Sequence, residues 1–526
     1  MRVRPATATA TAARDGHDSA APGRDLAATR SRRFDLRAAR AAVVVVLRGH
    51  WLAAIVLTAG LILRVLTQLA YRPVLFYIDT IRYLYHAGGN DPVGYRVPLR
   101  LILLIGNLNL VAVVQHLLGL AMAITLYHVL VRRGTPRWLA AIAVAPILLD
   151  AYQLQIEQTI MPDVWFEALI VAGLAALLAA PGRDSARAGL PMIIAGGLVL
   201  GASATVRQVG EILILPALIY LIALRGGWRR LLTRSVALIA AFVLPILAYS
   251  TAAYVATGHF WLSHSGVTTT YGRMAAAADC VTIRLPAVER ALCPTPAQHA
   301  LGPDGLEHSP LSPRIPYYVG PLGARASHLV ASFNHAVLFQ QPGRVLAAIA
   351  RDSAKLFALT RDRSPGDAPI SRWQFQTSYP YFPPHASRQV VTQAGARFGG
   401  GRPAVWRPVA EFLRSYQLGG GYTPGPLLVL CVLAGLAGSV LACWRRIDQG
   451  RRRLALACLL FFGSGVFVLG MSDVFEFSWR YQLPALVTLP PAGVLAVAAF
   501  ARRRAAGQDP DAGQLAESGK EVSLRD

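Results

Sequence analysis

The chain has 526 residues, of which 54% are hydrophobic and only 15% are charged. A soluble protein carries about 25% charged residues, so this composition excludes a disordered chain and argues against an ordinary cytosolic enzyme. The formal net charge of +24 falls largely on short segments between apolar runs, so it is not evidence for nucleic-acid binding.

The long apolar runs predict an all-α polytopic membrane protein, because one helix needs about 20 apolar residues to cross a bilayer. Polar residues 1–45 predict a disordered cytoplasmic tail, and residues 502–526 predict a second one. Two transmembrane blocks, 46–256 and 424–501, hold seven and three predicted helices. The third span is short and is either extended or re-entrant. The ten predicted spans are 49–70, 108–131, 138–150, 164–180, 189–206, 211–225, 235–256, 425–443, 454–471 and 482–501.

The arginines predict how these spans are oriented. Arginines follow every even-numbered span, whereas the short loops after spans three, five and nine hold almost none apart from Arg207 and Arg480. Positive charge marks the cytoplasmic side of a membrane. Both termini are therefore predicted in the cytoplasm, and the first loop, 71–107, is predicted outside. The abundance of Ala, Gly and Arg indicates a GC-rich bacterial genome, so the predicted location is a bacterial plasma membrane.

The large loop region 257–423, between the seventh and eighth spans, is predicted to be extracytoplasmic. Amphipathic patterns over 343–360 and 404–417 predict helices that either lie on the membrane surface or pack on the bundle. Cys280 and Cys293 also lie here, where an oxidising compartment favours a disulfide; the alternative is two free cysteines. The histidines have no convincing ligand spacing, so no metal site is predicted.

The first outer loop contains groups that suit chemistry on a phosphate ester. If residues 79–86 are helical, one helix face carries Asp79, Arg82, Tyr83 and His86. A carboxylate beside a guanidinium group can act as a base for a hydroxyl and as a clamp for a phosphate. The alternative is a surface ion pair worth less than about 1 kcal/mol.

Three further carboxylates on the predicted outer side are candidates for binding substrate hydroxyls. Asp91 either orients an acceptor or forms an Asx turn before Pro92. Glu157 and Asp163 follow the third span and are expected near the outer surface. Asp163 can equally cap the fourth span.

The order of several short motifs resembles that of GT-C type integral-membrane glycosyltransferases, which include protein mannosyltransferases and lipid A aminoarabinose transferases. The first loop has an aspartate with a tyrosine four residues later, here Asp79 and Tyr83. Other motifs that carry the resemblance are Gly94-Tyr95-Arg96-Val97-Pro98, Gln115-His116-Leu117-Leu118-Gly119, Thr205-Val206-Arg207 and Arg480-Tyr481-Gln482-Leu483-Pro484.

This resemblance implies an inverting glycosyltransferase that moves a sugar from a polyprenyl-phosphate donor to a hydroxyl of a cell-envelope glycan, lipid or protein. Asp79 is expected to act as general base. The donor phosphate is expected to bind arginines, which suit it because of their bidentate fork: Arg82, Arg96, Arg100, Arg207 and Arg480. Substrate is expected to contact Tyr83, Tyr95, Tyr481, Asp91, Glu157 and Asp163.

No cofactor is predicted. A divalent metal is compatible with the resemblance but has no support in this sequence, because Thr80 follows Asp79 where the family usually has a second acidic residue.

Two other functions remain open at this stage. A ligase or polymerase of lipid-linked glycans would depend on Arg and His rather than on Asp79. A non-enzymatic transporter or assembly protein is the other alternative, although transporters often contain internal repeats and the sequence shows none. Two arginines also have structural alternatives: Arg207 can pair with Glu211, and Arg480 with Glu476 or Asp473.

Overall fold

The structure, a computed structural model, describes residues 36–85, 92–179, 189–263, 266–314, 324–362, 364, 366–444 and 446–502. The chain divides into two units between Gly49 and His50. Helix α1 begins at Leu36, within the predicted tail 1–45, and its helical geometry is broken at His50. The rest of that tail, residues 1–35, and residues 503–526 lie outside the described residues.

Helices make up most of the described part of the chain. The helices that precede the large loop region are α1 (Leu36–Ala70), α2 (Thr80–Tyr85), α3 (Arg96–Ile105), α4 (Leu108–Arg133), α5 (Arg137–Leu149), α6 (Ala151–Glu157), α7 (Asp163–Ala179), α8 (Leu190–Val206), α9 (Ile214–Ala223) and α10 (Trp228–Thr257).

The loop region and the end of the chain contain the remaining helices. They are α11 (Gly266–Ala277), α12 (Ala287–Arg290), α13 (Pro296–His299), α14 (Gly302–His308), α15 (Ala324–Gln340), α16 (Pro342–Lys355), α17 (Arg388–Phe398), α18 (Arg407–Leu418), α19 (Gly425–Cys443), α20 (Gln449–Phe475) and α21 (Pro484–Ala501).

The apolar helices make this an all-α polytopic membrane protein. Among the described residues, six helical segments are long and apolar enough to cross a bilayer: Gly49–Ala70, α4, α10, α19, α20 and α21. The bent pair α5 and α6 can supply a seventh span. The other predicted spans coincide with the shorter helices α7, α8 and α9, so the number ten stays a prediction.

The short third span is helical but sharply bent, by 55° between α5 and α6. Asp150 lies at the bend, where its carboxylate accepts a hydrogen bond from the backbone N–H of Tyr152. The same carboxylate accepts hydrogen bonds from both terminal nitrogens of Arg361, at 3.2 and 2.7 Å. This buried bidentate pair ties the bend to the loop region.

Two glycines let α8 and α10 approach each other closely. A Cβ atom on Gly197 would lie 2.9 Å from Ala241 Cβ, and Gly201 faces the backbone of Phe242. The GxxxG pattern of α8 therefore serves packing within the chain.

The loop region has a hydrophobic core of its own. Tyr271 and Phe333 are fully buried in it and their ring centroids are 5.5 Å apart. Cys280 and Cys293 are joined by a disulfide beside this core. The two predicted amphipathic segments form α16 and α18, and α18 packs against α6 of the bundle.

The only sheet in the described part of the chain links this loop region to the first outer loop. Strand β1 (Tyr71–Arg72) pairs antiparallel with β2 (Ala404–Val405), with Tyr71 opposite Val405. The hydroxyl of Tyr71 donates to the carbonyl of Gln376, and that of Tyr379 donates to the carbonyl of Val74. These contacts position the start of the loop that carries Asp79.

Candidate functional site

Four of the predicted site residues form one cluster of ion pairs. Arg480 Nη1 lies 3.5 Å from Asp79 Oδ2, and Arg480 Nε lies 3.2 Å from Asp163 Oδ1. Arg207 also pairs with Asp163. The cluster therefore joins four segments that are distant in sequence: the first outer loop, the start of α7, the end of α8 and the α20–α21 connection.

Arg82 adds a third guanidinium group to the cluster. It lies 3.7 Å from Asp79, one helical turn later, because α2 begins directly after Asp79. Three arginines thus surround two carboxylates. Asp79 and Arg82 are the accessible members, with side-chain exposures of 22% and 39%.

The backbone around Asp79 is fixed by the segment that follows α6. Leu75 N–H donates to the carbonyl of Gln158, and Ile160 N–H donates to the carbonyl of Leu75. Thr80 then accepts from Tyr77 N–H and donates to the carbonyl of Ile160. Asp79 therefore lies in a turn whose position is set by the loop that leads to Asp163.

Aromatic rings support the arginines of the cluster. The ring centroid of Tyr481 lies 4.6 Å from Arg207 Cζ and 4.8 Å from Arg480 Cζ. The ring of Trp373 lies 5.3 Å from Arg480 Cζ. Burial alone would lower the pKa of Arg480, but the nearby carboxylates Asp163 and Asp79 outweigh it, so the pKa is raised well above the usual value.

The large loop region contributes one wall of the site, formed by aromatic side chains that contact Tyr77. The ring of Tyr77 lies 4.5 Å from Trp373 and 5.1 Å from Phe382. Arg372 donates to the Tyr77 hydroxyl at 3.3 Å and lies 3.8 Å from Asp304. Burial raises the pKa of Tyr77 to about 12, so this phenol stays protonated at neutral pH.

The Gly94-Tyr95 motif brings the beginning of α3 close to the ion-pair cluster. Gly94 N–H donates to the carbonyl of Thr205, two residues before Arg207. A side chain at Gly94 would clash, since its Cβ would lie 2.6 Å from Thr205 Oγ1. Arg96 begins α3 directly after this contact.

Arg96 and Arg100 differ in their contacts. Arg96 Nε and Nη2 are buried and have no hydrogen-bond partner among the described residues. Burial and the neighbouring Arg100 lower the pKa of Arg96. Arg100 donates to the carbonyl of Leu84 and so ties α3 to α2. Of the two, Arg96 is the one with donors left for an anion.

Two predictions on tyrosines need correction. Tyr95 is fully buried and its hydroxyl donates to Gln115 Oε1 at 2.8 Å. Tyr83 is nearly buried and packs edge-on against Tyr95, with centroids 5.2 Å apart. Both rings support the loop, and neither presents a free face to substrate. Tyr481 supports the guanidinium groups as described above.

Glu157 is buried inside the protein and is not exposed for contact with substrate hydroxyls. Glu157 is fully buried, and its two carboxylate oxygens are 2.7 Å from Arg64 Nη2 and 2.9 Å from His116 Nδ1. Gln115 donates to the carbonyls of Glu157 and Thr159. This network holds the segment that positions Asp79, so Glu157 has a structural role.

Asp163 is also buried inside the protein, at 1% exposure. It is the first residue of α7. Its Oδ1 forms ion pairs with Arg207 and Arg480. Its Oδ2 is buried and has no hydrogen-bond partner among the described residues. The ion pairs of Arg207 and Arg480 are with Asp163 and Asp79, in place of the alternatives within their own segments. Asp91 and His86 lie outside the described residues.

Among the described residues, no group of three or more His, Cys, Asp or Glu side chains has the geometry to hold a metal ion. The residues to which the sequence analysis gave no role are Tyr77 and Arg372. Tyr77 stands two residues before Asp79, so a search around that motif could have found it. Arg372 belongs to a loop segment whose packing is not indicated by any local pattern in the sequence.

No protein-family model and no curated protein matches the chain. Among solved structures, it is similar to the S. cerevisiae protein O-mannosyltransferase Pmt1–Pmt2 complex bound to the sugar donor, with 16% identity and a TM-score of 0.32 over 43% of this chain and 36% of that one. It is also similar to the oligosaccharyltransferase AglB from Archaeoglobus fulgidus in complex with an inhibitory peptide and a dolichol-phosphate, with 14% identity and a TM-score of 0.37 over 86% of this chain and 50% of that one.

A third similarity is to ArnT from Cupriavidus metallidurans bound to undecaprenyl phosphate, with 13% identity and a TM-score of 0.31 over 85% of this chain and 77% of that one. The chain spans about a third and a half of the lengths of the first two structures. All three are GT-C glycosyltransferases, the class that the sequence resembles.

Proposed function

We propose that this protein is a membrane glycosyltransferase that takes its sugar from a polyprenyl-phosphate donor. The observation that carries the proposal is the contact of Arg480 with both Asp79 and Asp163. It places a partly exposed carboxylate, Asp79, in contact with Arg82 and Arg480 and next to the Arg207–Asp163 pair. A phosphate and a hydroxyl are the two groups that such a site can serve together.

In the proposed reaction, Asp79 accepts the proton of the acceptor hydroxyl as its oxygen attacks the anomeric carbon. The new carbon–oxygen bond forms while the bond from that carbon to the phosphate oxygen breaks, which inverts the anomeric centre. The polyprenyl phosphate leaves with the bonding electrons. Arg82, Arg207 and Arg480 neutralise its charge, with Arg96 as a further donor from α3.

The acceptor is proposed to be a hydroxyl of the cell envelope on the extracytoplasmic face, because the arginine pattern predicts that side for Asp79. The solved neighbours bind a sugar donor, a dolichol phosphate or an undecaprenyl phosphate, which agrees with a lipid-linked donor. The sugar and the acceptor are left to experiment.

The test uses purified full-length protein in detergent, a bacterial lipid extract containing polyprenyl-phosphate sugars, and a cell-envelope extract as acceptor. Release of polyprenyl phosphate is followed by mass spectrometry. The Asp79→Asn variant is expected to lose at least about 100-fold in rate, since base catalysis contributes 10²–10⁴-fold. Turnover without a sealed compartment also separates an enzyme from a transporter.

Asp279→Asn is the matched control, because Asp279 is a partly exposed aspartate of the loop region whose ion pair is with Arg344. It is expected to keep wild-type activity. Wild-type turnover by Asp79→Asn would refute the assignment of the base, and absence of turnover by the wild-type protein would refute the proposed reaction.

A further inference from the structure

A cavity of about 460 Å³ lies at the end of the helix bundle opposite Asp79. Helix α4 shows the separation: Gln115, near its beginning, contacts the segment that positions Asp79, whereas Arg132 and Arg133 at its end line the cavity. At 1.5 Å per residue these two places are about 25 Å apart along the helix. The cavity therefore cannot belong to the site described above.

Arginines dominate the polar lining of this cavity, and no acidic residue is among the described residues that line it. The arginines come from four different helix ends. Two are at the end of α4, two are near the beginning of α10, one is near the beginning of α20 and one follows α21: Arg132, Arg133, Arg230, Arg234, Arg453 and Arg502.

The packing around Arg502 shows that this convergence is built into the fold. Its guanidinium group lies between Gly134, just after α4, and Gly450, in the first turn of α20. A Cβ on either glycine would come within 2.5 Å of an Arg502 nitrogen. Gly134 also has φ of +95°, a conformation that favours glycine. The absence of side chains at both positions makes room for the cation.

The electrostatics of the cavity favour an anion. Asp448 caps the beginning of α20 and brings one carboxylate close to Arg502, whereas the described residues that line the cavity include six arginines and no carboxylate. The positive end of the α10 dipole also points to the cavity, and the N-terminus of a helix attracts anions. Arg230 and Arg234 therefore add cationic side chains to an end that already carries partial positive charge.

The surroundings favour an anion that carries a lipid tail. Beneath the arginines the wall is apolar and buried, formed by Leu177, Ile193, Leu221 and Leu456. Exposed tryptophans stand at the same end of the bundle, namely Trp138, Trp228 and Trp444. Tryptophans mark the level of lipid head groups, and basic pockets between transmembrane helices at that level bind anionic head groups.

We propose that this cavity binds the head group of an anionic phospholipid with two phosphates, of the cardiolipin class. Six guanidinium groups from four helix ends can surround two phosphates of one head group, and guanidinium groups bind phosphates with bidentate contacts. The acyl chains extend from the cavity along the apolar faces of the helices. This site is independent of the proposed sugar transfer.

The test measures binding of cardiolipin, phosphatidylglycerol and phosphatidylcholine to the purified full-length protein by native mass spectrometry, with inorganic pyrophosphate as a soluble competitor. The Arg234→Ala/Arg453→Ala double variant is expected to weaken cardiolipin binding about tenfold or more. The Arg234→Lys/Arg453→Lys variant, which keeps the charge but loses the bidentate fork, is expected to weaken cardiolipin binding less than the alanine variant does and serves as the check on folding.

Arg229→Ala/Arg446→Ala is the matched control, because both arginines are exposed at the same end of the bundle and do not line the cavity. It is expected to bind cardiolipin like the wild-type protein. Equal affinity of the Arg234→Ala/Arg453→Ala variant would overturn the site. Equal affinity for cardiolipin and phosphatidylcholine, or displacement of cardiolipin by stoichiometric pyrophosphate, would overturn the lipid as its ligand.

Discussion

Arg480 bridges Asp79 and Asp163, two carboxylates that are 84 positions apart in the sequence. Its Nη1 faces the accessible Asp79 and its Nε faces the buried Asp163. One side chain thus connects the group proposed to accept a proton with the core of the bundle. The guanidinium fork is suited to this because its donors point in fixed, different directions.

Replacing Arg480 should separate its structural contribution from its contribution to substrate binding. Arg480→Ala leaves Asp163 with Arg207 alone, and we expect a loss of stability of about 3 kcal/mol because a buried ion pair loses one partner. Arg480→Lys keeps the charge without the fork. We expect it to fold and to raise the KM for the lipid-linked donor about tenfold.

Thermal unfolding in detergent and steady-state kinetics check both variants. Arg402→Lys is the control, since Arg402 is exposed on the loop region. Wild-type KM for Arg480→Lys would show that the fork geometry is not used by the substrate.

Glu476 should make the stability of the protein depend on pH. Burial, followed by the nearby carboxylates Glu307 and Asp304, raises the pKa of Glu476 to about 8. The folded protein therefore holds a proton that the unfolded chain releases near pH 4.5. Stability is expected to fall as pH rises between these two values, by up to about 1.4 kcal/mol per pH unit.

The measurement compares the unfolding temperature of the wild-type protein and Glu476→Gln between pH 5.5 and 7.5. The amide cannot release a proton, so the variant should lose this part of the pH dependence. Its unfolding temperature should therefore rise relative to that of the wild-type protein as pH rises. Parallel curves over the whole range would refute the assignment.

Sequence reasoning located the helices and the polar residues of the site because both depend on local patterns. Apolar runs of sufficient length predict helices wherever they occur. Charged residues such as Arg207 and Arg480 stand out at the ends of such runs because charge at membrane depth is costly. The meeting of Asp79, Arg207 and Arg480 followed from placing all of them on one side of the membrane.

Burial and the contribution of the large loop region could not be predicted in the same way. Glu157 and Tyr95 have the residue types of a binding site, but their partners Arg64 and Gln115 lie on other helices, and no spacing in the sequence connects them. Trp373 reaches Arg480 from a segment without periodicity. Such contacts depend on how distant segments pack, which a single sequence does not encode in any local pattern.

The Cys280–Cys293 bond should stabilise the core of the loop region. It closes a loop of 13 residues, and a loop of that length corresponds to about 3 kcal/mol in the chain-entropy description. We expect Cys293→Ser to speed limited proteolysis of the loop region. Peptide mapping without reductant should find the two cysteines linked.

Cys443→Ser is the control for that experiment, because Cys443 is an exposed free cysteine outside the loop region, at the C-terminal end of α19. It should leave both proteolysis and the linked peptides unchanged. Recovery of alkylated Cys280 and Cys293 from unreduced protein would contradict the disulfide.

Gly119 should be intolerant of even a methyl group, because it faces the buried network that supports the Asp79 loop. A Cβ at this position would lie 2.7 Å from Arg64 Nη2 and against the carboxylate of Glu157. Gly119→Ala must displace that ion pair, and we expect a loss of about 3 kcal/mol in stability. Gly227→Ala is the matched control, since nothing lies within 4 Å of its Cβ position, and its effect should stay within about 0.5 kcal/mol.

The same substitution should also affect activity, because Glu157 and Gln115 hold the segment to which Leu75 and Thr80 are hydrogen-bonded. Displacing that segment moves the turn that carries Asp79, while the arginines on α2 and after α8 keep their own supports. Gly119→Ala is therefore expected to lower kcat more than it raises the donor KM, measured at a temperature where the variant is fully folded. Equal unfolding temperatures for Gly119→Ala and Gly227→Ala would show that the Arg64–Glu157 ion pair can move without loss of stability. The proposed effect of Glu157 on the position of Asp79 would then be wrong.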